Sequence, residues 1–119
     1  MTVTLKQIIN AKDALYRLAN LKLPIKKAYI ITKLINKLEV ELNNFNKLHI
    51  QLIEKYGEKD HFNGVTTVKD ENKEDFTKEY EELGNIEVTI DLSKIELSED
   101  LEISPLDLLL LEPFTTVKE

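Results

Sequence analysis

Apolar side chains recur at helical spacing through the first part of the chain. Thr4 and Gln7 have the identities and separation of a capping box, in which each side chain bonds the backbone of the other. The pattern predicts a first helix that begins at Thr4 and ends near Asn20. Its apolar positions are Leu5, Ile8, Ile9, Leu15, Leu18 and Ala19.

A second and longer apolar pattern follows the short connector NLKLP. Pro24 suits the first turn of a helix, where its missing N–H would have no partner, and Gly57 is a suitable stop. Between them the apolar positions alternate in steps of three and four, flanked by Leu34 and Leu48, which predicts a helix from Pro24 to Tyr56. We call this row of side chains the seam: Ala28, Ile31, Ile35, Leu38, Leu42, Phe45, His49, Leu52 and Tyr56.

The two predicted helices differ in length by a factor of two. At about 1.5 Å per residue, the first is roughly 24 Å long and the second roughly 50 Å. In an antiparallel hairpin the first helix covers the second only near Ile25 to Leu38. Either the C-terminal region or a second copy of the chain must cover the rest, which contains Leu42, Phe45, Leu48, Leu52 and Ile53.

The second half of the chain has shorter patterns. A brief strand is predicted at about Val65 to Lys69, after the turn dipeptide Asn63-Gly64. Residues 70–84 are densely charged and allow two interpretations. One is a mobile acidic loop. The other is a short helix capped by Asn72 and closed by Gly84, with three apolar residues on one side: Phe76, Tyr80 and Leu83.

Strict alternation of apolar and polar residues begins at Ile86 and continues to Leu92. With the shorter alternations at 95–97 and 101–103, it predicts an antiparallel β-meander. Ser104 and Pro105 then predict a short C-terminal helical turn that Pro113 ends. In that turn we expect three leucines to face the sheet while Leu108 and Leu111 face outward, and the uncovered part of the second helix, in the same chain or in another, is the available apolar surface. The three are Leu106, Leu109 and Leu110.

These elements predict an α+β fold in one domain over residues 1–119, with a helical hairpin in 1–56 and a β-rich region in 57–119. The 42% hydrophobic content fits one modest core. Residues 1–56 hold ten basic and four acidic groups, a net +6, and residues 57–119 hold six and eighteen, a net -12. The two regions should therefore attract each other, within one chain or between chains.

Composition also predicts the setting of the protein. The chain has no cysteine, which fits a reducing cytoplasm and excludes disulfides and thiolate metal sites. No secretory signal and no apolar run near the length of a membrane span is present, so a cytoplasmic protein is expected. Duplex nucleic acid is disfavoured as a partner because the acidic region would repel it.

Candidate chemistry is sparse, and we predict no enzyme, no cofactor and no metal. Glu58, Asp60 and His61 could bind a divalent ion, although a solvated loop is the preferred interpretation. His49 on the seam is interpreted as a polar core or oligomer-register residue. Four residues near the start of the second helix suit a phosphate or carboxylate, although lysines that merely solvate a helix turn are the preferred interpretation. They are Lys22, Lys26, Lys27 and Tyr29.

The segments TLKQIINAKDALYRLANLKLP and ISPLDLLLLEPF, on either side of the long helix, resemble small uncharacterised proteins of bacteriophages and prophages of low-G+C Gram-positive bacteria. The resemblance spans nearly the whole chain. It implies an accessory protein in the host cytoplasm that acts by stoichiometric binding of a host or phage component. Inhibition of host defence is one role of this kind.

The sequence thus leads to two functional hypotheses. The first is a non-enzymatic binding protein that forms a homo-oligomer and engages an unknown protein partner. The alternative is an oligomeric sponge that sequesters a small anionic, nucleotide-like signal at the lysine-rich helix start. The residues predicted for self-association are Leu42, Phe45, His49, Leu52, Leu109 and Leu110.

Overall fold

Two antiparallel helices dominate the fold, as the sequence predicted. In the computed structural model, which describes residues 1–118, α1 spans Leu5–Ala19 and α2 spans Ile25–Tyr56. The long dimension of the molecule is 53 Å, close to the length of about 48 Å expected for the 32 residues of α2. The α+β class is confirmed, because short strand pairs and a short C-terminal helix follow the hairpin.

The ends of both helices lie close to where the sequence placed them. The capping box of α1 is formed: Thr4 Oγ1 accepts from the Gln7 amide at 3.1 Å, and Gln7 Oε1 accepts from the Thr4 amide at 2.9 Å. The sequence placed Pro24 in the first turn of α2. In the structure Pro24 is the N-cap residue, one position before that turn. At Gly57 an added Cβ would clash with the backbone carbonyl oxygen of Ile53 and would lie 2.6 Å from Thr66 Cγ2, so a residue without a side chain is needed where the chain leaves α2.

The acidic segment after α2 is helical, which decides between the two interpretations of residues 70–84. A single 3-10 turn at Asp70–Asn72 leads into α3, which spans Lys73–Gly84. Asn72 precedes the helix as predicted, but its side chain does not cap it. Instead the Asn72 amide donates to the Tyr56 carbonyl at 3.1 Å, which fastens the start of α3 to the end of α2.

Within residues 1–118, six strands of three residues each form three separate pairs. They are β1 (Thr2–Thr4), β2 (Gly57–Lys59), β3 (Thr66–Val68), β4 (Glu87–Thr89), β5 (Ile95–Leu97) and β6 (Thr115–Val117). β2 and β3 form an antiparallel hairpin, β1 pairs antiparallel with β4, and β5 pairs parallel with β6.

The predicted meander is therefore wrong in its pairing. Its first two strands, β4 and β5, do not pair with each other, and residues 101–103 form no strand. Each of these strands pairs instead with a strand from one end of the chain, and the registers place Val3 opposite Val88 and Ile95 opposite Thr115. Alternation marks a strand and its two faces but does not identify its partner.

The C-terminal helix, α4, spans Pro105–Leu111 and packs on α1. Ser104 Oγ accepts from the Asp107 amide at 3.1 Å, which confirms the predicted cap. The predicted orientation holds for Leu108, which is exposed, and for Leu110, which packs partly buried against the core, but it is wrong for the other three leucines: Leu111 is fully buried, whereas Leu106 and Leu109 are 64% and 63% exposed. The reason is that the predicted neighbour was the sheet and the distal part of α2, whereas the actual neighbour is α1.

One continuous core joins these elements. α1 lies between α2 and α4, and its buried residues Ile8, Leu15 and Leu18 belong to the same core as Phe114 near the C-terminus. Crossing a membrane would require a helix that is both long and apolar, and residues 1–118 contain none that meets both conditions.

Candidate binding surfaces

The distal half of the seam is covered by α3 of the same chain. Phe45 is buried and its ring meets that of Tyr80 edge to face, with centroids 5.9 Å apart. Tyr80 also lies 5.0 Å from the His49 ring, and Phe76 contacts Tyr56 at 6.4 Å. Aromatic pairs at these separations add specific attraction to the burial of their surface.

An ion pair at the end of α2 adds to this aromatic contact. Lys55 Nζ lies 3.1 Å from a carboxylate oxygen of Glu79 on α3. The contact raises the pKa of Lys55 through its hydrogen bond to Glu79, and hydrogen bonds from Tyr56 and Lys55 lower the pKa of Glu79. Of the two covers that the sequence allowed, the C-terminal region is therefore the one observed in the single chain.

The residues predicted for self-association fall into two groups. Four of them lie on the seam within the folded chain, with Phe45 buried and the others half-buried: Leu42, Phe45, His49 and Leu52. Leu109 and Leu110 lie on α4, where Leu109 faces outward and Leu110 is half-buried. Of these six residues, Leu109 therefore offers the most accessible apolar surface to a second copy.

The lysine-rich start of α2 is divided between solvent and the fold. Lys22, Lys26 and Tyr29 are exposed. Lys27 instead donates from its ammonium group to the carbonyl oxygen of Glu96 in β5, which ties α2 to the β5–β6 pair. Part of the predicted anion site thus has a structural role, and the anionic ligand remains a prediction from the sequence.

The loop after α2 places the other candidate ligands on the β2–β3 hairpin. Glu58, Asp60 and His61 are all exposed, and Asp60 Oδ1 accepts from the Phe62 amide at 2.8 Å. Within residues 1–118 no group of three or more histidine, aspartate or glutamate side chains could hold a metal ion. Sequence reasoning passed over Phe62, whose side chain is fully exposed at the tip of this hairpin.

An apolar surface on α4 is the second feature that the sequence did not predict correctly. Leu106 and Leu109 lie three residues apart and so share one side of the helix, and both are exposed. Leu109 also borders an open depression of about 650 Å³ that is lined by Met1, Thr2, Gln7, Lys94, Glu112 and Pro113. The sequence signal for this surface was the run of four leucines, because one buried face of a helix cannot hold four successive residues.

The position of α4 is fixed by a two-point contact with α1. Arg17 Nη2 and Nε lie 2.6 and 2.7 Å from the two carboxylate oxygens of Asp107. Two parallel N–H bonds to one carboxylate fix orientation as well as distance. The hydrogen bonds from Arg17 and its positive charge lower the pKa of Asp107, whose side chain is only 13% exposed.

This contact predicts a measurable effect of acid. Because the pKa of Asp107 is lowered in the folded state, the ion pair stabilises the fold above the unfolded pKa, near 3.8, and this stabilisation is lost as the pH falls through the folded pKa. In Arg17→Gln, the pKa of Asp107 in a carboxyl NMR titration should rise toward its ordinary value, and the acid loss of stability should shrink. Lys12→Gln, which removes another cation from α1, should leave that pKa unchanged; equal pKa values in the two variants would contradict the pairing.

Comparison of the chain with protein-family models, with curated proteins and with solved structures finds no match to any of them.

Proposed function

We propose that the chain is a non-enzymatic binding protein that self-associates through α4 and engages a host or phage component by stoichiometric binding. The observation that carries the proposal is the exposed pair Leu106 and Leu109, of which Leu109 borders the depression lined by Met1 and Pro113. We call these four residues and their surroundings the α4 surface. Complete burial of a fully exposed leucine is favourable by about 1.5–3 kcal/mol, and each of these side chains has nearly two thirds of its surface exposed, so this surface favours a partner.

The charges around the α4 surface favour a second copy as that partner. Residues 57–119 carry a net -12, so most of this region would repel another copy of itself. Beside Leu109, however, the depression is bordered by one cation, Lys94, and one anion, Glu112, and the Lys94 ammonium donates at 3.4 Å to the backbone carbonyl of Glu112 in the same chain. A two-fold contact presents the same patch from both sides, so Lys94 of each copy can face Glu112 of the other.

The polar groups that lie close together in the fold support a binding role rather than catalysis. Arg17 with Asp107 and Lys55 with Glu79 join helices to one another, and both pairs serve the packing. His49, the histidine nearest the core, is half-buried and packs against the rings of Phe45, Phe76 and Tyr80. A catalytic histidine is usually oriented by a polar partner, whereas these contacts are between aromatic rings.

The proposal is tested by measuring molar mass against protein concentration with size-exclusion chromatography and light scattering. The wild-type protein should shift from monomer to dimer as its concentration rises through the micromolar range. Leu106→Ser/Leu109→Ser should stay monomeric and keep its thermal midpoint, because both side chains are exposed in the single chain.

A matched control removes two exposed apolar side chains from another surface. Leu48 and Ile50 on α2 are 43% and 55% exposed, so Leu48→Ser/Ile50→Ser reduces exposed apolar area to a similar extent. This variant should dimerise like the wild type. A wild-type protein that remains monomeric at millimolar concentration, or equal loss of dimer in both variants, would contradict self-association through α4.

A further inference from the structure

A small cavity lies where α1, α2 and α3 meet, on a side of the molecule that the proposed α4 surface does not include. Its volume is about 120 Å³. Its apolar wall is formed by Ile9 of α1, Phe45 of α2 and Tyr80 of α3. Its remaining lining is polar apart from Gly84: Lys6, Asn10, Glu81 and Asn85.

We infer that this cavity binds a single neutral aromatic ring with a polar substituent, such as a phenol. The volume admits one ring, since an apolar cavity of about 150 Å³ in another protein binds benzene; the present cavity differs in that it opens to solvent along its polar side. Phe45 and Tyr80 already meet edge to face here, so a third ring can pack against both in geometries that aromatic pairs prefer. A larger, fused ligand would exceed the available volume.

The polar rim of the cavity explains why the ring should carry a hydrogen-bonding group. Lys6, Asn10, Glu81 and Asn85 form no side-chain hydrogen bond or ion pair with any other residue in 1–118. Their donors and acceptors are therefore available to a substituent that projects from the ring toward solvent. The one cation and the one anion among them balance, so the rim favours a neutral ligand over a charged one.

Gly84 provides a way to change the cavity without unfolding the helix. It is the last residue of α3, and an added Cβ would lie 3.5 Å from Lys6 Cβ, which is an ordinary contact. Alanine at this position should therefore fit the fold, and it is a better helix former than glycine. The added methyl group would lie against Lys6, which also lines the cavity.

Binding is tested with phenol by two-dimensional NMR of the wild-type protein. Saturable shifts are expected at the amides of Ile9, Asn10 and Gly84, with a millimolar dissociation constant. Gly84→Ala should weaken phenol binding several-fold and Gly84→Leu by at least tenfold, because each fills part of the cavity. Glu82→Leu, a matched control on the exposed side of α3, should bind phenol as the wild type does.

Two results would overturn the inference. One is an absence of saturable shifts up to the solubility limit of phenol. The other is unchanged affinity in Gly84→Ala, the variant expected to keep the fold intact. A parallel titration with N-acetyl-tyrosine amide distinguishes the source of the ring: if it binds at the same amides, the ring can come from a tyrosine of a partner protein, and if phenol alone binds, the ring belongs to a small molecule.

Discussion

Replacing Phe45 with alanine should lower the free energy of unfolding by about 3–5 kcal/mol, as expected for truncation of a buried phenylalanine. The side chain is only 4% exposed and packs against Tyr80 of α3 and His49 of α2. It also lines the cavity between the helices, which the truncation would enlarge. Small domains are stable by about 5–15 kcal/mol, so this loss is a large part of the total.

The experiment is urea denaturation followed by circular dichroism, with hydrogen exchange of the α3 amides as a second measurement. Exchange in α3 should accelerate because Tyr80 of this helix loses its contact with the Phe45 ring of α2. The control is Val40→Ala on the exposed side of α2, which should change the free energy of unfolding by less than about 0.5 kcal/mol. An effect of Phe45→Ala as small as that of the control would contradict the burial of the seam.

Phe45→Ala also tests whether the seam is covered by α3 of the same chain or by a second chain. The protein with Phe45 and the protein with Phe45→Ala are compared in the Leu106→Ser/Leu109→Ser background, where the proposed α4 contact is removed. If α3 of the same chain covers Phe45, the stability difference is the same at every protein concentration. A difference that grows with protein concentration would mean that a second chain covers the seam, as the sequence also allowed.

The hairpin could be predicted because its determinants are local. Thr4 and Gln7 are three residues apart and form the capping box of α1. Gly57 ends α2 at a position where no side chain fits. Every residue of the seam from Ala28 to Tyr56 is buried or half-buried, since a helical repeat identifies the apolar face regardless of what covers it. The identity of the cover was open because it depends on residues far along the chain.

Long-range pairing explains the errors in the second half. β4 pairs with β1 and β5 with β6, and each of these strands has only three residues, too few for alternation to favour one partner over another. The seven residues of α4 span about two turns, so four successive leucines are compatible with several rotations of the helix. The contact of Arg17 with Asp107 selects one rotation, and it joins residues 90 positions apart.

The two candidate sites, the lysine cluster and the three-helix cavity, also differ in whether they depend on neighbouring or on distant residues. The lysine cluster follows from neighbouring positions in the sequence, yet Lys27 is held by the Glu96 carbonyl, a partner that no local pattern indicates. The three-helix cavity brings together Ile9, Phe45 and Tyr80, and it exists only because α3 folds back onto the hairpin. Such a site becomes predictable only after the packing of distant elements is known.

Replacing Phe114 with alanine should also lower the free energy of unfolding by about 3–5 kcal/mol, because the side chain is completely buried. Its backbone joins two elements: the Phe114 carbonyl accepts from the Ile95 amide of β5 at 2.9 Å, and its amide donates to the carbonyl of Leu111 in α4 at 2.9 Å. Loss of the ring should therefore loosen both the β5–β6 pair and the attachment of α4.

Chemical denaturation measures the total loss, and hydrogen exchange of the Ile95 amide reports whether the strand pair loosens. Leu106→Ala is the matched control, since Leu106 lies on α4 and is exposed in the single chain; below the concentration at which dimers form, it should change stability by less than about 0.5 kcal/mol. Faster exchange at Ile95 is expected in Phe114→Ala and not in the control. If Phe114→Ala cost less than about 1 kcal/mol, the C-terminal segment would not belong to the core, and α4 would lack the fixed position that the proposed self-association requires.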